Sequence, residues 1–255
     1  MARSGALETL VTSQFGSQAA AYVASAVHAQ GEDLRAVAAE VEAVKPARVL
    51  DLGCGGGHVS FAAAPFSASV TAYDLSAEML AAVAGEAAKR GLANIETRQG
   101  SVEHLPFDDA SFDMVLSRYS AHHWGDVPAA LAEARRVARP GATLVFADTT
   151  APARAVSDTF LQTVEMLRDP SHVRDYSVAE WQAMLEGAGF AVTSTRPLRV
   201  RLEFATWIAR MRTPSVFIEA IRALQAVMSD EVREHFGIED DGTFFIDTAV
   251  FVAKR

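Results

Sequence analysis

The spacing of hydrophobic residues changes near residue 46, and the change marks the start of a regular alternation of elements. Between Asp33 and Val44 the apolar residues recur every three or four positions, which predicts an amphipathic helix that Pro46 ends. From there to about residue 148, short runs rich in β-branched residues alternate with helical segments. This alternation predicts a doubly wound parallel sheet with right-handed connections.

Five strands and their connecting helices are expected in the alternating region. The strands are ARVLDL, SVTAYD, NIETRQG, FDMVLSRYS and ATLVFAD, and the helices are HVSFAAAPF, SAEMLAAVAGEAAKRG and PAALAEARRVARPG. Ser76 is the expected N-cap of the second helix, and Gly91 lies just past its end. The rest of the chain departs from the alternation, with helices expected near 153–167, 178–187 and 204–228 and late strands in FAVTSTRPLRVRLEF and GTFFIDTAVFVA.

Composition narrows the class of protein. The 255 residues are enough for one α/β domain, alone or with a small appendage, and half of them are hydrophobic. The chain has no run of about 18 strongly apolar residues and no secretory signal pattern, so we expect a soluble, cytoplasmic protein without membrane insertion. A single cysteine excludes an internal disulfide framework, and the net charge of −9 disfavours nucleic acid as a partner.

The segment VLDLGCGGG is the strongest candidate for ligand binding. In an open α/β sheet, a glycine-rich turn at the carboxyl end of a strand lets the backbone approach a ligand, and the following helix supplies free N–H groups. A dinucleotide fingerprint requires G-x-G-x-x-G, but counting from Gly53 and Gly55 places His58 where the third glycine should stand. The loop therefore does not match a nicotinamide-dinucleotide site.

Two acidic residues indicate a different ligand. Asp51 ends the first strand and faces the loop, where a carboxylate suits a ligand that carries an ammonium group. Asp74 ends the second strand 23 residues later, at the position from which a carboxylate can accept hydrogen bonds from both hydroxyls of a ribose. An ammonium group together with a ribose describes S-adenosylmethionine.

The motifs of the alternating region resemble those of class I S-adenosylmethionine-dependent methyltransferases. VLDLGCGGG, AYDLS, RQGSVEHLPFDDASFDMVLSRYSAHHW and RVARPGATLVFAD follow each other in the order and spacing of that family. They are most similar to the methyltransferase type 11 branch, which includes ubiquinone/menaquinone methyltransferases. The resemblance is detailed over about 14–150. It continues more loosely through RDPSHVRDYSVAEW, GAGF and FATWIARMRT, which resemble methyltransferases of the YafE and YcgJ type.

The resemblance implies a single Rossmann-like α/β domain. Its sheet would be doubly wound and seven-stranded, with the last strand antiparallel, and a helical cap would cover it. The expected divisions are an N-terminal helical cap at 1–45, a cofactor-binding core at 46–150, a substrate cap inserted at 151–230 and the final strand at 231–255.

The same resemblance implies roles for individual residues. In that family the first glycine motif holds the methionine part of the cofactor, and the acidic residue after the second strand binds the ribose. The loop after the third strand usually reads G-D-A, with its aspartate bonding the adenine amine, but here it reads Gly100-Ser101-Val102, so Ser101 or the loop backbone would accept that bond. The implied cofactor-binding residues are Asp51, Gly53, Gly55 and Gly57 at the first motif, Asp74, Leu75 and Met79 at the second, Ser101 and Val102 after the third strand, and Ser117 and Arg118 after the fourth.

His122 and His123 are the first candidates for a catalytic base. Methyl transfer from a sulfonium is an in-line displacement, so the enzyme aligns the acceptor, excludes water and removes a proton if the acceptor carries one. The pair follows the fourth strand, whose carboxyl end faces the ligand pocket, and imidazole titrates near neutral pH. We expect one of the two to face the substrate; packing or helix capping beside Trp124 is the alternative. No metal is expected, because no third ligand accompanies the pair at a suitable spacing.

RDPSHVRDY, between two predicted helices, is a second polar cluster. As a hypothesis it forms a lid over the acceptor, with His172 as a second candidate base and Arg174 pairing an anionic group of the substrate. A solvated surface loop is the alternative.

Aromatic residues on two helices complete the candidate substrate site. Trp207, Arg210 and Met211 share one side of a helix and could roof the pocket, against the alternative of ordinary core packing. Near the N-terminus, Phe15, Tyr22 and His28 fall on a predicted helix that in this family caps the cofactor. Tyr22 would touch the cofactor or the substrate, or pack in the core. The candidate substrate-binding residues are Tyr22, Trp124, Arg174, Trp207 and Arg210.

The sequence therefore predicts a methyltransferase that uses S-adenosylmethionine, acts on a small-molecule acceptor and releases S-adenosylhomocysteine. Three other functions stay open: a nucleic-acid methyltransferase, a nicotinamide-dependent oxidoreductase and a non-catalytic cofactor-binding protein. The acceptor, the element methylated and the oligomeric state, with a homodimer among the options, are not fixed by the sequence.

Overall fold

A seven-stranded sheet runs through the centre of the computed structural model, which describes residues 4–16 and 31–255. The strands are β1 (Arg48–Leu52), β2 (Ser69–Asp74), β3 (Ile95–Gln99), β4 (Phe112–Arg118), β5 (Ala138–Thr149), β6 (Ala191–Leu202) and β7 (Phe244–Lys254). They lie in the order β3-β2-β1-β4-β5-β7-β6. The first five pair in parallel, and β7 runs antiparallel to both β5 and β6. The expected doubly wound α/β sheet with an antiparallel last strand is confirmed.

Helices lie between the strands and beyond them. They are α1 (Ser4–Gly16), α2 (Glu32–Val44), α3 (His58–Ala63), α4 (Ala77–Lys89), α5 (Val127–Val137), α6 (Ala155–Arg168), α7 (Val178–Gly187), α8 (Phe204–Met211), α9 (Ser215–Val227) and α10 (Asp230–Phe236). Short 3-10 turns occupy Ala64–Phe66 and Ala121–His123. Within the described ranges, none of these helices combines the length and apolarity needed to cross a bilayer.

Helices cover both faces of the sheet because its inner strands are apolar on both sides. Four of the five residues of β1 are buried. On one face α5 and α7 pack through side chains such as Leu131 and Trp181, and on the other α2 and α3 pack through Val37 and Val59. A third cluster, formed by α6, α8, α9, α10 and the ends of β6 and β7, extends the core beyond the alternating region.

Side-chain hydrogen bonds cap the starts of two helices, and the cap at Ser76 was predicted from the sequence. Ser76 Oγ accepts the backbone N–H of Met79 at 3.2 Å and so caps α4 as expected. At α7, Ser177 and Glu180 form a complete capping box. These hydrogen bonds fix the residue at which each helix begins, and so the residue at which the preceding loop ends.

Two elements have different ends from those predicted. The helix expected over 204–228 is divided into α8 and α9, because Arg212 adopts a left-handed conformation with φ of 51° and Pro214 follows it. Strand β5 begins at Ala138, ahead of Pro140, which was expected to lie between helix and strand.

Two of the expected divisions contain additional elements. The 151–230 segment, expected to form a cap, also supplies the edge strand β6 of the sheet. The 231–255 segment holds most of α10 as well as the final strand β7. The C-terminal region therefore contributes two strands to the sheet, and its helices pack against the ends of those strands.

Candidate active site

The first of two adjacent cavities opens at the carboxyl ends of β1, β2 and β4. Its walls are the loop after β1, the start of α4, the turn after β4 and two residues of α1, Val11 and Phe15. Eight of the eleven predicted cofactor-binding residues line it, namely Asp51, Gly53, Gly55, Asp74, Leu75, Met79, Val102 and Arg118.

Asp51 provides a buried carboxylate at the base of this cavity. Its Oδ2 atom accepts the hydroxyl of Ser60, on α3, at 2.6 Å. Burial raises the pKa of Asp51 to about 7, and the hydrogen bonds from Ser60 only partly oppose this. Because burial penalises the ionised form, a positively charged ligand in the cavity would stabilise the carboxylate.

Asp74 is oriented by the backbone around it. Its Oδ2 accepts the N–H of Gly55 at 2.8 Å and its Oδ1 accepts the N–H of Ser76 at 2.9 Å. An ionised carboxylate offers about four lone-pair positions, so roughly two remain for a ligand. That capacity fits the two hydroxyl donors of a ribose. Burial also raises the pKa of Asp74.

Two glycines shape the wall between these carboxylates. Gly53 has a φ of +63°, and a Cβ atom there would overlap the hydroxyl of Ser120. Gly55 has a φ of +48°, lines the cavity, and a Cβ atom there would meet nothing within 4 Å. The first glycine is thus required by packing as well as by conformation, whereas the second leaves the backbone open to a ligand.

Apolar side chains form the other end of the cavity. Leu75, Met79 and Val102 line it, and Met79 is fully buried at the start of α4. These surfaces suit a flat aromatic ring system such as adenine. With two carboxylates, an exposed glycine backbone and an apolar end, the residues present fit the chemistry of S-adenosylmethionine.

Three predicted cofactor-binding residues lie away from this cavity. Ser117 is 2% exposed, and its hydroxyl donates to the carbonyl of Leu52, on the neighbouring strand β1, at 2.9 Å. Gly57 is the N-cap of α3 and is surrounded by core side chains. Ser101 lines a neighbouring groove beside α1, and its carbonyl accepts the hydroxyl of Tyr73 at 3.1 Å. None of these three residues therefore lines the first cavity.

A second cavity, of about 340 Å³, adjoins the first. Apolar side chains of its wall come from β6, β7 and α8: Leu198, Val200, Leu202, Ile246, Trp207 and Met211. Charged side chains come mainly from the end of α6, the following loop and β6. Four residues line both cavities, namely Phe15, Arg118, Tyr119 and His123. They mark the junction where a group could pass from one cavity to the other.

His123 stands at this junction in a defined tautomer. Its Nδ1 atom lies 3.1 Å from the carbonyl oxygen of Ser171, and since a carbonyl only accepts, Nδ1 carries the proton. The Nε2 atom then keeps its lone pair and lies 3.9 Å from the buried carboxylate oxygen Oδ2 of Asp169. Phe15 packs edge-on against the ring, with centroids 5.0 Å apart. Burial and the positive charge of His122 lower the pKa of His123 to about 4.

The pKa of His122 is shifted in the opposite direction from that of His123. Its Nδ1 lies 2.6 Å from Asp148 Oδ1. Although burial opposes the charge, the attraction and hydrogen bond of Asp148 raise the pKa of His122 to about 9. His122 therefore carries a proton at neutral pH and is a poor candidate for the base. No metal was expected from the sequence, because no further ligand lies near the histidine pair along the chain. In the folded structure, however, Asp148 and Asp175 lie beside His122.

His172 and Arg174 do not line either cavity. His172 is buried with its Nε2 3.0 Å from Gln162 Oε1, and that oxygen is an acceptor because the Gln162 amide nitrogen donates elsewhere. Burial, followed by the charges of His122 and His123, lowers the pKa of His172 to about 2. Arg174 pairs with Asp158 on α6. Neither side chain reaches one of the two cavities, so the geometry gives no support to His172 as a base or to Arg174 as the partner of a substrate anion.

The predicted substrate-binding residues divide between the cavities. Trp207 and Arg210 line the second cavity, consistent with the prediction that their helix covers the substrate pocket. Trp124 lines the first cavity instead, where its Nε1 donates to Ser120 Oγ at 3.0 Å. Tyr22 and His28 lie outside the described residues.

At the junction, the sequence did not single out Tyr119 or the ion-pair partner of Arg118. Tyr119 follows β4 with a φ of +50°, a conformation that costs free energy in a non-glycine residue and is often found at functional sites. Arg118 forms a buried ion pair with Asp33 of α2. Only the long-range packing of α2 against the end of β4 brings this pair together, so no local pattern could reveal it.

Comparison with known proteins agrees with this geometry. The family described as "Methyltransferase domain" matches residues 50–146. The protein YafE of Escherichia coli is 49% identical over 203 residues, which are 80% of this chain and 98% of YafE. YcgJ of Bacillus subtilis, named as a methyltransferase, is 36% identical over 224 residues, 88% of each chain. The crystal structure of YcgJ aligns with a TM-score of 0.84 at 32% identity, covering 88% of this chain and 97% of that one.

A more distant relative carries a specific activity in its name. Demethylmenaquinone methyltransferase of Chlorobaculum tepidum is 34% identical over 118 residues, 46% of this chain and 47% of the relative. The fold and the similarity to YafE and YcgJ over 80% and 88% of this chain lead to one assignment. The chain belongs to the class I S-adenosylmethionine-dependent methyltransferases and is a methyltransferase of the same family as YafE and YcgJ.

Proposed function

We propose that this methyltransferase binds S-adenosylmethionine in the first cavity and methylates a small-molecule acceptor held in the second. The observation that carries the proposal is the junction at His123, where both cavities share a wall. A donor and an acceptor on either side of one junction can be aligned for an in-line displacement.

The residues of the first cavity would hold the cofactor through complementary chemistry. When bound, S-adenosylmethionine supplies an electrophilic methyl group on a sulfonium. Asp51 would face the ammonium group, the free lone pairs of Asp74 would accept the ribose hydroxyls, and Met79 would lie against the adenine. Gly53 and Gly55 would let the backbone approach the methionine part.

His123 would act on the acceptor. Its Nδ1–H is committed to the Ser171 carbonyl, so Nε2 is the atom that can accept a proton or a hydrogen bond. Phe15, packed edge-on against the ring, helps to exclude water from the junction. A hydrogen-bond acceptor fixed at the point of transfer would orient an acceptor O–H or N–H and receive its proton.

The second cavity favours a small acceptor with an apolar body. Leu202, Trp207 and Met211 supply apolar wall, and charged side chains of α6 and β6 frame it. One relative is named a demethylmenaquinone methyltransferase, and a quinone precursor of that kind is an acceptor of this class. The negative net charge of the chain points away from nucleic acid.

Incubation with methyl-labelled S-adenosylmethionine and a cell extract tests the proposal. The products are separated into small molecules, proteins and nucleic acids, and the label is followed into each fraction. We expect label in the small-molecule fraction, and much less when His123→Gln replaces the wild type. Label confined to the nucleic-acid or the protein fraction would overturn the choice of acceptor class.

A further inference from the structure

Three side chains beside the second cavity gather around one point. His122 lies in the 3-10 turn after β4, Asp148 near the end of β5, and Asp175 in the loop between α6 and α7. Each offers one nitrogen or oxygen atom, and these three atoms lie within 4.8 Å of one another. His122 and Asp175 also line the second cavity. The cluster is therefore reachable from the cavity.

Backbone bonds tie the three segments together. The His122 carbonyl accepts the N–H of Val173 at 2.8 Å, and Thr150 pairs with Tyr176 in a β-bridge. Asp148 accepts the N–H of Ala121 at 2.9 Å. The three side chains are thus positioned by the fold itself, as a preorganised ligand set requires.

Asp175 has a buried carboxylate oxygen without a hydrogen-bond partner among the described residues, and this independently points to a ligand. The residue is 2% exposed, and its Oδ2 atom receives no hydrogen bond from the described residues. The closest imidazole nitrogen, Nε2 of His172, is 3.9 Å away and is committed to Gln162. Asp148 is buried as well, at 3% exposed. Buried carboxylates are normally paired or coordinate a metal, and here two of them share one histidine.

We propose that His122, Asp148 and Asp175 bind a divalent first-row transition metal such as Mn²⁺, Fe²⁺ or Zn²⁺. One imidazole and two carboxylates are a ligand set that these ions accept, and three protein ligands leave coordination positions open. The open positions would face the second cavity and would suit oxygen donors.

Metal binding by the full chain tests this directly and requires neither cofactor nor acceptor. The protein is stripped with a chelator and titrated with Mn²⁺ by calorimetry and electron paramagnetic resonance, and with Co²⁺ by visible spectroscopy. We expect one ion per chain, with a Co²⁺ spectrum typical of mixed nitrogen and oxygen ligands. Failure of the wild-type protein to bind one equivalent of any of these ions overturns the proposal, whatever the outcome for methyl transfer.

Variants locate the site. Asp175→Asn keeps the shape of the side chain but removes the charge, and we expect it to weaken metal binding by at least about tenfold. His235→Gln is the matched control, because it removes another histidine–carboxylate pair, with Asp247, that is partly exposed. Equal affinity of Asp175→Asn and wild type, or a loss only in His235→Gln, would place the metal elsewhere and contradict the assignment. If Asp175→Asn does not fold, His122→Gln serves as the second variant and the same loss is expected.

Discussion

The Nδ1 atom of His123 lies 3.1 Å from the carbonyl oxygen of Ser171, and this contact leaves Nε2 as the only basic nitrogen of the ring. Ser171 is itself held by Asp169, whose Oδ1 accepts both the backbone N–H and the hydroxyl of Ser171. A loop between α6 and α7 therefore sets the tautomer of a residue that follows β4.

Replacing His123 tests the role of that nitrogen. We expect His123→Ala to lower kcat by about 10²–10⁴-fold if the acceptor loses a proton, while the affinity for S-adenosylhomocysteine changes little. The exposed His104 offers a matched control, and His104→Ala should retain full activity. A His123→Ala enzyme with wild-type kcat would remove His123 from the chemistry.

Asp74→Asn tests the ribose assignment. The substitution removes a charged acceptor that keeps about two free lone pairs, so binding of S-adenosylhomocysteine should weaken by about 1.5–3 kcal/mol, or roughly 10–150-fold. Calorimetry measures the change. The exposed Asp108→Asn is the control and should bind as the wild type does. Unchanged affinity in Asp74→Asn would mean that the ribose lies elsewhere.

Asp51 makes cofactor binding depend on pH. Without ligand its pKa is raised to about 7 by burial, and a bound cation favours the ionised form and lowers this pKa. Affinity should therefore fall as the pH drops below 7, by up to about tenfold per unit. Calorimetry in buffers of different ionisation enthalpy should also detect proton release on binding near pH 6. In Asp51→Asn both effects should vanish; their persistence would assign them to another group.

The same residue affects stability in the absence of cofactor. A raised carboxyl pKa means that the native state binds more protons than the unfolded state between about pH 4 and pH 7, so stability falls as pH rises through this window and levels off above it. Asp51→Asn removes that loss and should increase the free energy of unfolding at pH 8 by about 2–4 kcal/mol. Denaturant titrations at pH 5 and pH 8 measure it. A variant that is less stable than wild type at pH 8 would show that the Asp51 charge is compensated in the native state.

Gly53 and Gly55 should respond differently to alanine. Gly53→Ala adds a methyl group that overlaps Ser120 and strains a positive φ, so the loop must shift and cofactor binding should be lost. Gly55→Ala meets no atom within 4 Å and should cost mainly the backbone strain, about 1–2 kcal/mol of stability. Thermal unfolding and S-adenosylhomocysteine binding of the two variants distinguish them. The same loss of stability and of S-adenosylhomocysteine binding in both variants would contradict a packing requirement specific to Gly53.

Most of the fold, and most residues that line the first cavity, could be predicted from local patterns. The apolar strands, Ser76 and the glycines of VLDLGCGGG are short-range signals, and the carboxyl ends of parallel strands bring Asp51 and Asp74 to the same edge. The family resemblance added the antiparallel last strand, which periodicity alone does not give.

The acceptor side was harder to predict because it depends on contacts distant in sequence. His123 and His122 are adjacent, yet Ser171 and Asp148 give them opposite protonation behaviour. His172 was expected near the substrate, but its partner Gln162 lies on a helix whose packing the sequence does not reveal.

Calorimetric titration with S-adenosylhomocysteine and with NAD shows whether the first cavity binds the methyl donor. We expect one S-adenosylhomocysteine site per chain, weakened in Asp74→Asn, and no measurable binding of NAD. Binding of NAD together with no binding of S-adenosylhomocysteine would contradict this expectation.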